Sequence, residues 1–264
     1  MPALVSIIVP VLNEAELIGS FLRELRARAP GAEIIVVDGG SDDDTIAKSG
    51  ALADHVLTVP RGRGRQMNAG AAMARGDVFF FVHADTLIPR NAIDEISDAL
   101  DDDAVVGGCF QLRLPRREWI YRISDSVGNM GVEIFGFALG DHGIFCRREK
   151  FFDVGGYPDI PLMEDAELYR ALRRHGRMRQ SRHAIVASPR RYEQLGPWRT
   201  TSYYVLILAL YVTGARINTL TAIYRRLTGD HQTALRSPHS ASLTAFDSAG
   251  ALARSTTAPS GVRQ

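Results

Sequence analysis

The 264-residue chain has only two cysteines, Cys109 and Cys146. They are too few and too far apart for a disulfide framework, a structural zinc site or a CxxC redox pair. Two isolated thiols suit a reducing compartment, with a single disulfide between them left open. Charge of one sign is also lacking: the formal net charge is +1, which argues against nucleic acid or another acidic polymer as partner. No oily run reaches the roughly 20 residues of a bilayer span; the longest, YYVLILALYV, covers residues 203–212. The opening MPALVSIIVP has no basic leader stretch, so no signal peptide and a cytoplasmic location are expected. A dinucleotide fingerprint is missing too. In RGRGRQMNAG, Gly62 and Gly64 are followed by Met67 where the third glycine would stand, and no acid for a ribose is evident.

What is present is ordinary for a globular domain: 45% apolar and 23% charged residues. LVSIIVP, AEIIVVD, DHVLTV and DVFFFVHAD are short, nearly continuous apolar runs, the pattern of parallel strands buried on both faces. Helical stretches alternate with them. Asn13 with Glu16 forms a capping-box pattern ahead of Leu17, Ile18, Phe21, Leu22 and Leu25. Ser41 before three aspartates reads as another helix start, and residues 66–75 and 91–100 read as helices. Strand then helix, repeated, predicts an α/β layer with a mainly parallel central sheet flanked by helices. Ligands then bind beyond the carboxyl ends of the strands, where Asp38, Asp85 and the Pro10–Asn13 turn fall. The second half predicts strands in VVGGCFQLRL, GIFCR and residues 184–187, a helix over residues 164–175, and one long helix from Pro197 toward Arg226. Residues 228–264 are rich in Ser, Thr, Ala and Gly without apolar periodicity, and a disordered tail is expected there.

Several stretches could carry chemistry. Asp85 is a hard anionic group suited to Mg²⁺ or Mn²⁺ bridging phosphates, and His83, two residues earlier, would share its face of a strand. The same two residues could equally cap a loop. Asp38, before Gly39 and Gly40, fits either a hydrogen bond to a nucleoside or a plain turn. Arg61, Arg63 and Arg65 could meet a diphosphate or form a solvated basic loop. Glu164 and Asp165 open a helix, where acids commonly answer the dipole. Asp141 and His142 sit between glycines, and Arg190 and Arg191 are either anion ligands or surface charge.

As an ordered series, SIIVPVLNE, IIVVDGGSDDDT, GRQMNAG, ARGDVFFFVHADT, GDHGIF, VGGYP and LMED resemble the family-2 glycosyltransferases, over about residues 4–226. The nearest likeness is a bacterial branch carrying HADT in place of a D-x-D motif. The resemblance implies a GT-A fold, the nucleotide-diphospho-sugar transferase architecture. It implies one domain over residues 1–227, with a nucleotide-binding half (1–100) and an acceptor half (101–227) ending in a helix. It implies an inverting transfer from a UDP- or GDP-sugar to an acceptor hydroxyl. Pro10, Asn13, Glu14 and Asp38 would hold the nucleoside, with Arg65, Gln66 and Asn68 along the same cleft. Arg190 or Arg191 would help hold the diphosphate. Asp85, with His83 as a possible second ligand, would hold a divalent metal, Mg²⁺ or Mn²⁺. Gly140, Asp141, His142 and Glu164 would line the acceptor side, and Asp165 would be the general base. His83 replaces the first acid of D-x-D, which bears on metal preference. The Q-x-x-R-W signature of processive synthases is not seen; RRYEQLG stands in that region.

Two other functions fit the layout: a nucleotidyltransferase of sugar phosphates, which would need a glycine-rich loop near the amino terminus that PVLNEAEL does not supply, and a non-catalytic nucleotide-sugar-binding module. The 203–212 helix is apolar all round and must be covered, by its own domain, a second chain as a homodimer, or peripherally at the inner membrane face with Arg199, Arg216, Arg225 and Arg226 near head groups.

Overall fold

The computed structural model describes residues 3–116 and 118–228; the expected tail therefore lies, from residue 229 on, outside the described residues. Seven strands form one sheet: β1 (Val5–Val11), β2 (Glu33–Asp38), β3 (His55–Thr58), β4 (Val78–Phe81), β5 (Val105–Arg113), β6 (Ile144–Arg147) and β7 (Arg177–Val186), in the spatial order β3-β2-β1-β4-β6-β5-β7. Only β6 runs against its neighbours β4 and β5; the other pairings are parallel. The carboxyl ends of six strands thus share one edge, and β6 begins there.

Helices α1 (Ile18–Arg28), α2 (Thr45–Gly50), α3 (Arg63–Met73) and α4 (Ala92–Leu100) alternate with the first strands. Then come α5 (Trp119–Glu133), α6 (Arg148–Asp153), α7 (Glu164–Arg173), α8 (Arg190–Leu195), α9 (Pro197–Val212) and α10 (Ile217–Thr228). The two-residue strand period sorts the core. Ile7, Val9, Ile34, Val36 and Phe80 pack under α1 and α4, whereas Ile8, Ile35, Val37, Phe79 and Phe81 pack under α3, α6 and α7. On the second face α3 lies very close to the sheet: a Cβ at Gly70 would stand 2.5 Å from Ile8 Cγ2. Both thiols are free and fully buried in adjacent strands, and burial pushes Cys109 up to about 12 and Cys146 further.

Several expectations need correction. β3 is only half-buried, as an outer strand with a neighbour on one side. β4 stops at Phe81, so His83 and Asp85 lie beyond the strand and the shared-face argument does not apply. No capping box forms: Leu17 precedes α1 without a side-chain cap, while Asn13 takes φ 53° and accepts a bond from the Asp42 amide. Ser41 does not cap α2, because its hydroxyl turns back to Asp38. β7 begins well before residue 184. The long carboxyl-terminal helix is two, broken at Gly214, whose φ of 86° no helix allows. No helix of the described residues is long and apolar enough to cross a membrane.

Candidate functional site

The strand order sets where a ligand fits. From β1 the chain steps to β2 on one side, while β4 flanks β1 on the other, so the crevice between the ends of β1 and β4 is the topological switch point. Past β4, His83 to Thr86 form a turn. Its closure comes from the Thr86 amide (3.2 Å) and hydroxyl (2.8 Å), both donating to the His83 carbonyl. Leu87 then exchanges backbone bonds of 2.8 and 2.9 Å with Val186, the last residue of β7, which pins the turn. Asp85 stays solvent-accessible at the turn's tip, yet crowding by its surroundings and the charge of Asp141 raise its carboxyl above the ordinary range. Across the crevice Glu14 lies in an ion pair with Arg190 at 3.4 Å, and burial with the Asp85 charge among its causes raises Glu14 as well. A cavity of about 490 Å³ opens behind Asp85, between Phe21 and Glu24 of α1 and the 186–189 segment.

The β1–α1 and β2–α2 loops are stitched together at the neighbouring strand ends. Asp38 is wholly buried and accepts bonds from the Gly40 (2.7 Å) and Ser41 (2.9 Å) amides and from the Ser41 hydroxyl. The Asn13 amide donates to that hydroxyl at 2.8 Å. Pro10 is buried within β1, beside Val37. Gln66 is buried beneath, donating to the Val11 (2.9 Å) and Val37 (2.8 Å) carbonyls. Asn68 clips the backbone of Tyr157 with two 2.8 Å bonds, and Arg65 grips Asp159.

On the other side of the turn a second cluster converges. α7 leads back into β7, whose carboxyl end is at the site edge, so α7 must start there; it presents Glu164 and Asp165 in its first turn. Just before them Met163 holds a left-handed φ of 68°, local strain of the kind found at functional positions. Asp165 is 4% exposed. Burial, then the neighbouring Glu164 charge, push its carboxyl up to about 6, against the pull of Arg63 and His83. Its Oδ1 has no hydrogen-bond partner among the described residues. Arg63 Nε lies 2.8 Å from Glu164 Oε1, close enough for an ion pair but not aligned as a hydrogen bond. Tyr157 is buried nearby; its hydroxyl lies close to Asp165, again without an aligned bond.

Gly140 joins the two clusters. A Cβ there would stand 2.3 Å from His83 Nε2 and 2.6 Å from Asp165 Oδ2. The next residue, Asp141, places Oδ1 4.0 Å from the same His83 nitrogen, which has no hydrogen-bond partner among the described residues. Gly140 is outside the left-handed region, so alanine is allowed by the backbone and refused only by these two side chains. Gly140→Ala is expected to lower turnover about 100-fold, the effect of a roughly 1 Å misplacement, with a folded protein by circular dichroism. Steady-state kinetics of the purified variant check it.

The expected residues therefore divide. His83, Asp85, Glu14, Arg190, Gly140, Asp141, Glu164 and Asp165 meet along the crevice. Asp38 and Asn13 form the floor one strand away. Gln66 and Asn68 spend their amides on backbone groups. Arg191 is drawn into the α9–α10 hydroxyls of Tyr204 and Tyr224 instead of the crevice. His142 is fully buried, with its Nδ1 3.1 Å from the Phe110 carbonyl, and burial lowers its pKa. It supports the turn from behind instead of lining an acceptor surface. Arg63 and Tyr157 were not singled out for this cluster. Arg63 sits in a row of alternating arginines, and only the helix phase shows which one meets the acids.

Comparison with known proteins gives a consistent picture. The model of the family described as Glycosyl transferase family 2 matches residues 6–152. An undecaprenyl-phosphate 4-deoxy-4-formamido-L-arabinose transferase of Sodalis glossinidius is 30% identical over 160 residues, 55% of this chain and 48% of that protein. A glucosyl-3-phosphoglycerate synthase of Mycolicibacterium paratuberculosis is 30% identical over 97 residues, 33% of this chain and 30% of that protein. The matches thus span half or less of these relatives' length. Among solved structures, a mannosyltransferase from Pyrobaculum calidifontis in complex with GDP-Man and Mn²⁺ aligns with a TM-score of 0.58 at 20% identity, covering 96% of this chain and 81% of that one. A glucosyl-3-phosphoglycerate synthase from Mycobacterium tuberculosis with Mn²⁺, UDP and glucosyl-3-phosphoglycerate aligns at 0.55 and 20% identity, covering 81% of each. At that identity the likeness is one of fold: the α/β sheet with its flanking helices is that of the GT-A glycosyltransferases.

Proposed function

Because the chain belongs to glycosyl transferase family 2 and is a glycosyltransferase, we propose that it moves a sugar from a nucleoside diphosphate to an acceptor hydroxyl with inversion, using Asp165 as base. The observation that carries this reading is the meeting of His83 and Asp165 at Gly140. It sets a phosphate-side turn and a buried acid on two sides of one small gap.

A divalent cation fits the residues present. Asp85 offers carboxylate oxygens, the His83 Nε2 is without a partner, and Asp141 adds negative charge beside both. No three or more His, Cys, Asp or Glu side chains among the described residues converge on a metal. That suits a cation that takes most of its ligands from diphosphate oxygens and water. When bound, the metal supplies charge neutralisation of the departing diphosphate.

The remaining work falls to the chain. The nucleoside end rests on the loops held by Pro10, Asn13 and Asp38, with Gln66 fixing the strand ends beneath. Arg190 stands by the diphosphate with Glu14 as its partner. The acceptor hydroxyl gives its proton to Asp165 as its oxygen attacks the anomeric carbon. The bond from that carbon to the phosphate oxygen breaks, and its electron pair leaves with the nucleoside diphosphate. Burial and Glu164 make Asp165 a stronger base than an exposed aspartate, and the Arg63 charge pulls against that rise.

The test is transfer itself. The protein with Mn²⁺ is offered labelled UDP- and GDP-sugars together with hydroxyl-bearing acceptors, and the product's anomeric configuration is read by NMR. Inverted product is expected. A retained configuration would overturn the single-displacement reading.

A further inference from the structure

Twelve large hydrophobic residues are exposed among those described, and nine of them lie on α5 and α9 or within two residues after α5. On α5, Trp119, Ile123 and Met130 follow at helical spacing along one outward face; on α9, Trp198, Val205 and Leu206 do the same. The two helices lie side by side and parallel. At their starts the Trp119 and Trp198 rings meet edge to face at 4.8 Å. At their ends Phe137, just past α5, meets Tyr211 at 5.2 Å. α9 buries its other side against α10 through Tyr203, Ile207, Tyr211, Leu220 and Tyr224. The outward sides therefore join into one apolar surface about 24 Å long, from roughly 1.5 Å of rise per residue. That is larger than the scattered apolar residues of an ordinary surface.

The charges around it choose the occupant. Residues 197–228 contain Arg199, Arg216, Arg225 and Arg226 and no Asp, Glu or Lys, while the α5 side brings exposed Arg122 with Glu118 and Glu133 at its two ends. Arg199 bonds the Leu227 carbonyl at 3.1 Å, which brings the end of α10 to the start of α9. Arginines therefore stand at both ends of the apolar strip: Arg199 and Arg226 beside the tryptophans, and Arg216 beyond Val212. A second copy docked about a two-fold axis would set this acid-free hairpin against itself. An anionic lipid surface would meet the arginines with phosphates, the tryptophans with its interface and the apolar strip with acyl chains. We propose that the α5–α9 face is where the protein lies on an anionic membrane surface.

The assignment does not depend on the transfer chemistry, because binding is read without donor or metal. Full-length protein is sedimented with vesicles of phosphatidylcholine alone and of equimolar phosphatidylcholine–phosphatidylglycerol. It is expected to pellet with the mixed vesicles and stay in solution with the neutral ones. A Val205→Glu, Leu206→Glu double variant should lose at least tenfold in partitioning. Both side chains are already solvent-exposed, so its melting curve should match the wild type. An Arg216→Ala, Arg226→Ala variant should lose about fivefold per arginine. Three results would overturn the proposal. One is wild type left in the supernatant with both vesicles. Another is pelleting that the glutamates do not reduce. The third is a dimer by sedimentation velocity that the same glutamates dissociate.

Discussion

Replacing Asp165 by asparagine is expected to lower kcat by about 10²–10⁴-fold while the donor's dissociation constant stays within about twofold. Asparagine keeps the shape and one oxygen acceptor but cannot take a proton. The donor is proposed to rest on the β1, β2 and β4 loops, on the far side of Gly140 from this carboxyl, so its binding should be spared. A structural role would predict the opposite pattern, loss of stability with binding. The melting point supplies that control, and its sign can be worked out. Burial and Glu164 raise the folded-state pKa of Asp165 to about 6 from 3.8. The native state therefore holds this proton more tightly than the unfolded chain, and above pH 6 the ionised carboxyl costs stability. The asparagine variant should melt at or above the wild type at pH 7.5, with the gain fading as pH falls toward 4. Inactive and more stable together would identify a base; unchanged turnover would remove Asp165 from the mechanism.

The same shift fixes a pH profile. With Asp165 as the proposed base, turnover should fall as pH drops through about 6, well above where an exposed aspartate would titrate. Glu164→Gln removes a neighbouring negative charge, and Arg63 then acts on Asp165 alone. Both effects lower the pKa, and the limb should move to lower pH. The displacement in the variant shows how much of the raised Asp165 pKa comes from the Glu164 charge.

How much of this could be read from residues alone varies by element. β1, β2 and β4 are runs of branched or aromatic residues buried on both faces, and such runs have few other uses. The rule that ligands bind beyond the carboxyl ends of parallel strands points to Asp38 and the HADT turn as candidates. Asp165 was different. Alone it was a helix-start acid, and only the ordered set of motifs gave it a role. VFFFV looks uninterrupted, so the residues alone do not show where β4 ends. The strand stops where its partner does: β6 pairs only as far as Phe145 opposite Phe80, and Gly143 turns away at φ 61°. α5 is hard to read from the residues because Gly128 and Gly131 dilute its helical signal; at Gly128 a Cβ would only touch Leu112 and His142 at ordinary distances of 3.4 and 3.5 Å. Arg63 and Arg65, two residues apart on a helix, point about 200° away from each other. One meets Glu164 and the other Asp159, a distinction set by where α3 begins and by nothing in the arginines themselves.

Replacing Asp85 by alanine should abolish the dependence of donor binding on Mn²⁺, lowering affinity at saturating metal by about 10- to 100-fold, the cost typical of damage to a metal site. Without metal the sign should reverse. Asp85 is an anion facing the crevice where the diphosphate is proposed to lie; burial and then the Asp141 charge raise its pKa, and burial together with the Asp85 charge raises that of Glu14. Its removal relieves like-charge repulsion, so metal-free binding of the nucleoside diphosphate should be equal to or slightly tighter than in the wild type. A merely structural aspartate would give parallel losses in both series, which is not expected because the turn is closed by Thr86 and pinned by Leu87 without help from the Asp85 side chain. Calorimetric titrations of UDP and GDP with and without Mn²⁺ distinguish the cases. Crossing curves would assign Asp85 to the metal. Wild-type titrations identical with and without Mn²⁺ would sink the metal role and leave Arg190 as the group that answers the leaving charge. The raised pKa adds a last check: wild-type Mn²⁺ affinity should begin to weaken on acidification above the ordinary carboxylate range, because the metal must compete with a proton that crowding and Asp141 hold on Asp85.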